Sequence, residues 1–229
     1  RGPGGAEDEG TVNLRVHLRE LHKRKINLID PNKIVLHEII GQGSFGRVWS
    51  GTWGSSAVAV KEFPTAQDAL VGASLMKDAL VIETIGEAAV LAVLHHPKIL
   101  RLYGCSLTRA AVWIVAELCE AGNLRALLDD RRRRLSTRRR LRLALDVAEG
   151  MHHLHAQRPP IFHRDLKSLN IFVKEVRWGR RRHAEYVAKI GDLGSARAGW
   201  ALSNSGGLAE AAAAAAAAAE ASAGEEEGG

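Results

Sequence analysis

The chain has 229 residues, of which 46% are hydrophobic and 25% charged. That is the balance of an ordinary globular protein, with length for one domain or a small two-lobed one. The net charge of +6 is concentrated in two arginine clusters, and the two cysteines, Cys105 and Cys119, stand in apolar strand-like text with no C-x-x-C pair. This excludes a disulfide framework or a cysteine zinc site and fits a reducing, cytoplasmic location. Outside the alanine-rich end no stretch reaches 18 apolar residues without a charge, so no membrane span is expected.

In chain order, residues 1–10 (RGPGGAEDEG) are glycine-rich and acidic and read as disordered. Residues 11–33 suit a short charged helix with Leu14, Leu18 and Leu21 on one side, ended by Asp30-Pro31-Asn32. Three strands are expected next: IVLHEII (34–40) running into GQGSFG, RVWSGTW (47–53) and AVAVKEF (57–63). Glycine and serine turns join them into an antiparallel meander. Pro64 ends the sheet, and a helix is best defined from Met76 to Leu94. On it Glu87, Leu91 and Leu94 fall at i, i+4 and i+7, on one face.

Pro97 stops that helix, and ILRLYGC (99–105) and AVWIVAE (111–117) read as two more strands. NLRALLDD (123–130) predicts a short helix, and 136–155 a longer one with Ser136 or Thr137 as N-cap and Pro159-Pro160 beyond its end. Two strand-like pieces, IFV (171–173) and YVAKI (186–190), flank a basic insert. From Gly199 the text turns to Ser, Gly, Ala and Glu, with nine consecutive alanines and no apolar face to bury. The arginines at 131–134, 138–140 and 142, and at 177 and 180–182, read as a solvated face and a basic loop. No aromatic residues interleave the first run as a stacking platform requires, so nucleic acid is not an expected partner.

Four segments carry chemistry. Gly41, Gly43 and Gly46 form G-x-G-x-x-G between two strands, not between a strand and a helix. That placement suits a hairpin whose bare backbone closes over phosphates. Lys61, 15 residues beyond Gly46, follows apolar Ala59 and Val60 on the third strand and offers a cation to the same phosphates. Glu87 is the first candidate to hold it, with Glu83 one turn earlier as the second. In HRDLKSLN (163–170), Asp165 suits acceptance of a proton from an attacking hydroxyl and Lys167 neutralisation of a moving phosphoryl group. Asn170 offers an amide oxygen to Mg²⁺, and in DLG (192–194) Asp192 supplies a second oxygen ligand.

Together these residues resemble the eukaryotic protein kinase family. Gly41, Gly43, Gly46 and Val48 match its glycine loop, Lys61 its phosphate-anchoring lysine and Glu87 the acid of its regulatory helix, within EAAVLAVLHHPKILRLYG. Asp165, Lys167 and Asn170 match its catalytic loop, and Asp192, in DLG where DFG is usual, its metal-binding aspartate. Lys167 two places after Asp165 is the form typical of Ser/Thr-specific members. GTWGSSAVAVKEF and HRDLKSLNI look most like the tyrosine-kinase-like group, whose members are mostly Ser/Thr kinases.

The resemblance implies an α+β, two-lobed fold. The N-lobe would hold a five-stranded antiparallel sheet plus the regulatory helix, and the C-lobe would be helical and incomplete. The chain would divide into a linker (1–33), a kinase domain (N-lobe 34–117, partial C-lobe 118–198) and a low-complexity tail (199–229). ATP would be the nucleotide, Mg²⁺ its metal, and a protein bearing Ser or Thr the other substrate. Ile40, Gly41, Gly43, Ser44, Phe45 and Gly46 would cover the nucleotide. Val48 and Ala59 above and Phe172 below would sandwich adenine, which would bond to the connector Glu117–Cys119, with Ala116 as an unusually small gatekeeper. Leu91, Leu102, His163 and Leu193 would stack as a hydrophobic column.

Two departures from the family pattern stand out. Asp192 follows Asn170 by 22 positions, a long interval filled by RWGRRRHAEYV. After Ala198 no activation segment or Ala-Pro-Glu anchor is recognisable, and no proline follows Pro160. The resemblance therefore implies a truncated domain whose 136–155 helix lacks its packing partner, poorly stable alone. A non-catalytic nucleotide-binding or scaffold role is the alternative function.

Overall fold

The computed structural model describes residues 26–43, 46–64, 85, 88–108, 110–176, 185–193 and 196–198. They fall into two compact units, one of the described residues up to Ala88 with Tyr103–Ala116, the other of Ala89–Leu102 with the described residues from Glu117 onward.

The first unit is a five-stranded sheet of β1 (Ile34–Gly43), β2 (Gly46–Trp53), β3 (Ser56–Pro64), β4 (Leu102–Leu107) and β5 (Ala111–Glu117), in the order β1-β2-β3-β5-β4. β1, β2 and β3 are the expected antiparallel meander, turned between β2 and β3 by Gly54 at φ +59°. Alternation sorts the two faces. Val58, Val60 and Val115 are fully buried in one core with Ile29 and Ile34, and Trp49, Trp53 and Trp113 pack against it. Glu62 is pinned on that side, accepting hydrogen bonds from the indoles of Trp49 (2.9 Å) and Trp113 (3.3 Å).

The helix expected over 11–33 is corrected where it is described. Residues 26–29 are extended and bind alongside β4: the Ile29 N–H donates to the Cys105 carbonyl and the Cys105 N–H to that of Asn27, both at 2.8 Å. Gly104 permits this approach, because a Cβ there would lie 2.3 Å from the Asn27 carbonyl oxygen. Ile26 and Ile29 are buried by the pairing, so the packed unit begins before Ile34; tertiary burial has overridden a weak local helix pattern. A 3-10 turn, Pro31–Lys33, then leads into β1, capped by the Asp30 carboxylate. Residues 11–25 lie outside the described set.

The second unit is built on two helices, α1 (Leu124–Asp129) and α2 (Thr137–His155), and on a β7 (Ile171–Val176) and β8 (Glu185–Ile190) hairpin. Asn123 caps α1 and Ser136 caps α2 through their side-chain oxygens, as the sequence predicts for α2. β8 begins at Glu185, one residue before the strand expected over 186–190; residues 177–184 lie outside the described set. Two-residue strands β6 (Ile161–Phe162) and β9 (Arg197–Ala198) form a further antiparallel pair that no sequence pattern signalled.

Residues 88–93 are helical, in agreement with the helix expected to Leu94. Its Val90, Leu91 and Leu94 share a core with Ile99, Leu154, Ile161, Ile190 and Leu193, with Leu102 packed against it. Three members of the expected column thus belong to this core, and buried His163 is tied beside it by a hydrogen bond to Gly191.

α2 turns Leu143, Asp146, Gly150 and Leu154 inward. Half a turn away, on the opposite side, Leu141 and Leu145 are 66% and 49% exposed. Buried Asp146 accepts a hydrogen bond from the Ala188 N–H (3.0 Å) and forms an ion pair with Lys98 (2.5 Å), fixing α2 to β8 and to the segment before Ile99.

Candidate active site

The first unit gathers its expected nucleotide-contacting residues on one face of the sheet. Gly41 lies opposite Val48, Val48 opposite Lys61, and Ser50 opposite Ala59. Directly opposed residues share a face, so Gly41, Val48, Ala59 and Lys61 form one surface, away from buried Val58 and Val60. Val115 packs with Val58 and Val60, so alternation puts Ala116 on the Ala59–Lys61 side. Ile40 sits exposed at an irregularity of the β1–β2 ladder, between Ile39 and Gly41.

Gly46 ends the hairpin opposite Gly43, and its glycine is required: a Cβ there would lie 2.0 Å from the Glu62 carbonyl oxygen. The Lys61 ammonium lies 5.1 Å from the centroid of the Phe63 ring, a cation–π contact, and has no carboxylate partner among the described residues. Glu87 and Glu83, expected to hold it, and the loop residues Ser44 and Phe45 lie outside the described set.

The second unit brings Asp165, Lys167 and Asn170 into one hydrogen-bonded assembly, with the segment before Asp192 tied to it through the backbone. Lys167 donates to Asp165 Oδ2 at 2.6 Å, and the Asn170 amide nitrogen donates to the same oxygen (3.0 Å) and to the Asp165 carbonyl (2.9 Å). The Lys167 bond, more than the Asn170 bond, holds the Asp165 carboxyl below the usual carboxylate range. His163 Nε2 donates to the Gly191 carbonyl (3.1 Å) while its Nδ1 accepts from the Asp165 N–H (3.4 Å), so the Nε2–H tautomer satisfies both bonds. The Gly191 N–H donates to the Asn170 carbonyl (3.0 Å), fastening the Asp192 segment to the 163–170 loop.

Among the described residues, the two non-glycine positions with left-handed backbone are Arg164 (φ +66°) and Asp192 (φ +57°), both at this assembly. Such conformations are sparsely populated and gather at functional sites. Here the αL turn leaves the Asp192 side chain exposed while Leu193 beside it is fully buried.

The donor set fits a hard cation. With the Asn170 amide nitrogen committed to Asp165, its oxygen remains for a metal, together with the exposed Asp192 carboxylate. The described residues hold no cluster of three or more His, Cys, Asp and Glu that would close around a metal by itself. Magnesium is commonly held by one or two protein oxygens, with water and substrate phosphate completing its shell.

The connector has an unexpected anchor. Buried Glu117 pairs with Lys189 (2.7 Å) and Lys174 (2.9 Å) and accepts from the Arg101 N–H (2.9 Å). Burial raises its pKa, but these bonds outweigh it and leave the carboxyl below its ordinary value. Cys119 is buried, which pushes its thiol up to about 12, so it is a packing residue and not a nucleophile. Phe172, the expected adenine floor, lies on β7 directly across from Lys189. The Glu117–lysine cluster had no local sequence signal, since its members stand on three separate strands.

Comparison with known proteins agrees with this geometry. Residues 34–210 match the family model for protein tyrosine and serine/threonine kinase, reaching twelve residues beyond the expected domain end at Ala198. The chain is 38% identical over 165 residues to a probable serine/threonine-protein kinase SIS8 of Arabidopsis thaliana, covering 72% of this chain and 14% of that protein. It is 38% identical over 164 residues to the serine/threonine-protein kinase CTR1 of the same plant, covering 71% and 18%. It is 34% identical over 145 residues to the mouse serine/threonine-protein kinase TNNI3K, covering 63% and 16%. The chain thus spans less than a fifth of the length of each of these relatives. With the glycine hairpin, the Asp165 loop and the Asp192 turn all formed within the matched stretch, the chain belongs to the protein kinase family.

Proposed function

We propose that this chain transfers the γ-phosphoryl group of ATP to serine or threonine hydroxyls of a protein. The single observation that carries the reading is the Asp165–Lys167–Asn170 hydrogen-bonded cluster, tied through Gly191 to Asp192. Asp165 is ionised at neutral pH and oriented by two donors, so it can align an incoming hydroxyl and accept its proton. The Lys167 ammonium, 49% exposed, is placed to neutralise phosphoryl charge beside that hydroxyl. Asn170 and Asp192 would hold Mg²⁺, which neutralises phosphate charge when bound. The sheet unit by itself offers Lys61 and the bare backbone of the β1–β2 hairpin to phosphates, and Val48 and Ala59 as apolar surface for a purine.

A non-catalytic nucleotide-binding role would require no base and no phosphoryl-neutralising lysine, yet both are present and bonded to each other. Ser/Thr preference is supported by Lys167 and by the relatives, each named a serine/threonine-protein kinase. A reducing compartment suits the two free, buried cysteines, and among the described residues no helix is long and apolar enough to cross a membrane. Incubation of the chain with labelled Mg·ATP and a basic protein, followed by phosphoamino-acid analysis, tests the reading. Phosphoserine or phosphothreonine is expected; no transfer, or phosphotyrosine alone, would overturn it.

A further inference from the structure

The Glu117 carboxylate lies buried at the start of the expected connector. It is 5% exposed and carries two lysine ammonium groups and a backbone N–H. The two lysines come from opposite strands of the β7–β8 hairpin, and they flank Phe172: Lys189 lies directly across from it and Lys174 two positions beyond. These three side chains therefore share one face of the hairpin. Asn170 lies immediately before β7, and Asp192 follows β8 by two residues. A single carboxylate thus ties the segment expected to read the purine to the hairpin that carries the expected purine floor and is flanked by both expected metal donors.

A buried charge cluster stabilises a fold no better than apolar residues of the same volume, because desolvation offsets much of the attraction. What it supplies is direction: three donors on one carboxylate fix the spacing of connector and hairpin. We propose that Glu117 is a positioning residue that couples purine binding at the connector to metal binding by Asn170 and Asp192. This rests on the kinase reading above, and it adds a side-chain role to a residue that the reading uses as part of the connector.

The experiment measures affinity of the chain for a fluorescent ATP analogue with and without Mg²⁺, alongside thermal melts. In Glu117→Gln the enhancement of affinity by Mg²⁺ is expected to fall about tenfold, with a smaller loss in magnesium-free affinity. Loss of both in parallel with the folded fraction would mark a purely structural role and overturn the proposal, as would an unchanged enhancement. Should Glu117→Gln fail to fold, Lys174→Met removes one donor from a side chain one-third exposed. It is expected to keep the melt and lose about threefold of the enhancement; full enhancement there also overturns the proposal. If the unchanged chain binds no Mg·ATP, the kinase reading falls first and this inference with it.

Discussion

Lys167 and Asp165 are joined across 2.6 Å, and that bond is the main reason the Asp165 carboxyl sits below its ordinary pKa. A depressed carboxyl stays ionised as pH falls until its lowered pKa is reached. Removing the ammonium lets that pKa rise. In Lys167→Gln the acid limb of the pH–rate profile is therefore expected to move to higher pH, besides a lower plateau rate. A limb that stays in place or moves to lower pH would contradict the assignment of Asp165 as the titrating base.

Gly46 and Gly41 are expected to behave differently. A Cβ at Gly46 meets the Glu62 carbonyl at 2.0 Å, whereas one at Gly41 meets Val48 at an ordinary 3.6 Å. Gly46→Ala should displace the end of the hairpin, cost about 2 kcal/mol of stability and weaken nucleotide affinity. Gly41→Ala should leave the melt within about 0.5 kcal/mol of the parent. Denaturant titration of both variants checks the contrast, and equal losses would argue against the β2–β3 register described.

Much of this site was legible because its parts are short and contiguous. The glycine triplet, HRDLKSLN and DLG each fix several residue types within a few positions, alternation marked β2 and β3, and strand-like runs between turn residues marked β1, β4 and β5. The parts that could not be read are pairings across distance. Glu117 meets a lysine 57 positions later. Glu62 collects indoles from two other strands, and residues 26–29 find β4 almost 80 positions downstream. No local period records such partners. β6 and β9 are too short to show alternation at all.

Ala116 shares the Ala59–Lys61 face of the sheet, and we propose that it guards the purine site, a small side chain there admitting a bulky adenine mimic. Ala116→Met is expected to weaken such inhibitors at least about tenfold while ATP affinity changes little. Unchanged inhibitor affinity in a direct binding assay would show that Ala116 does not guard the purine site.

Asp146 is the buried counterion of Lys98 and the acceptor for the Ala188 N–H. Asp146→Ala leaves the Lys98 ammonium with the more distant Glu149 carboxylate (3.9 Å) and strands the Ala188 amide, and should destabilise the chain by about 3 kcal/mol. Double replacement, Lys98→Met with Asp146→Leu, should recover a large part of that loss, which urea titration would show. No recovery would mean that the Ala188 bond, not the ion pair, dominates.

We propose Asp165 as the base of phosphoryl transfer. The most direct test compares γ-phosphoryl transfer and Mg·ATP affinity in the chain and in Asp165→Asn, whose side chain keeps shape but cannot take the proton. Transfer is expected to fall by about 10²–10⁴-fold while Mg·ATP affinity stays within about twofold. Transfer that survives the substitution undiminished would contradict the account.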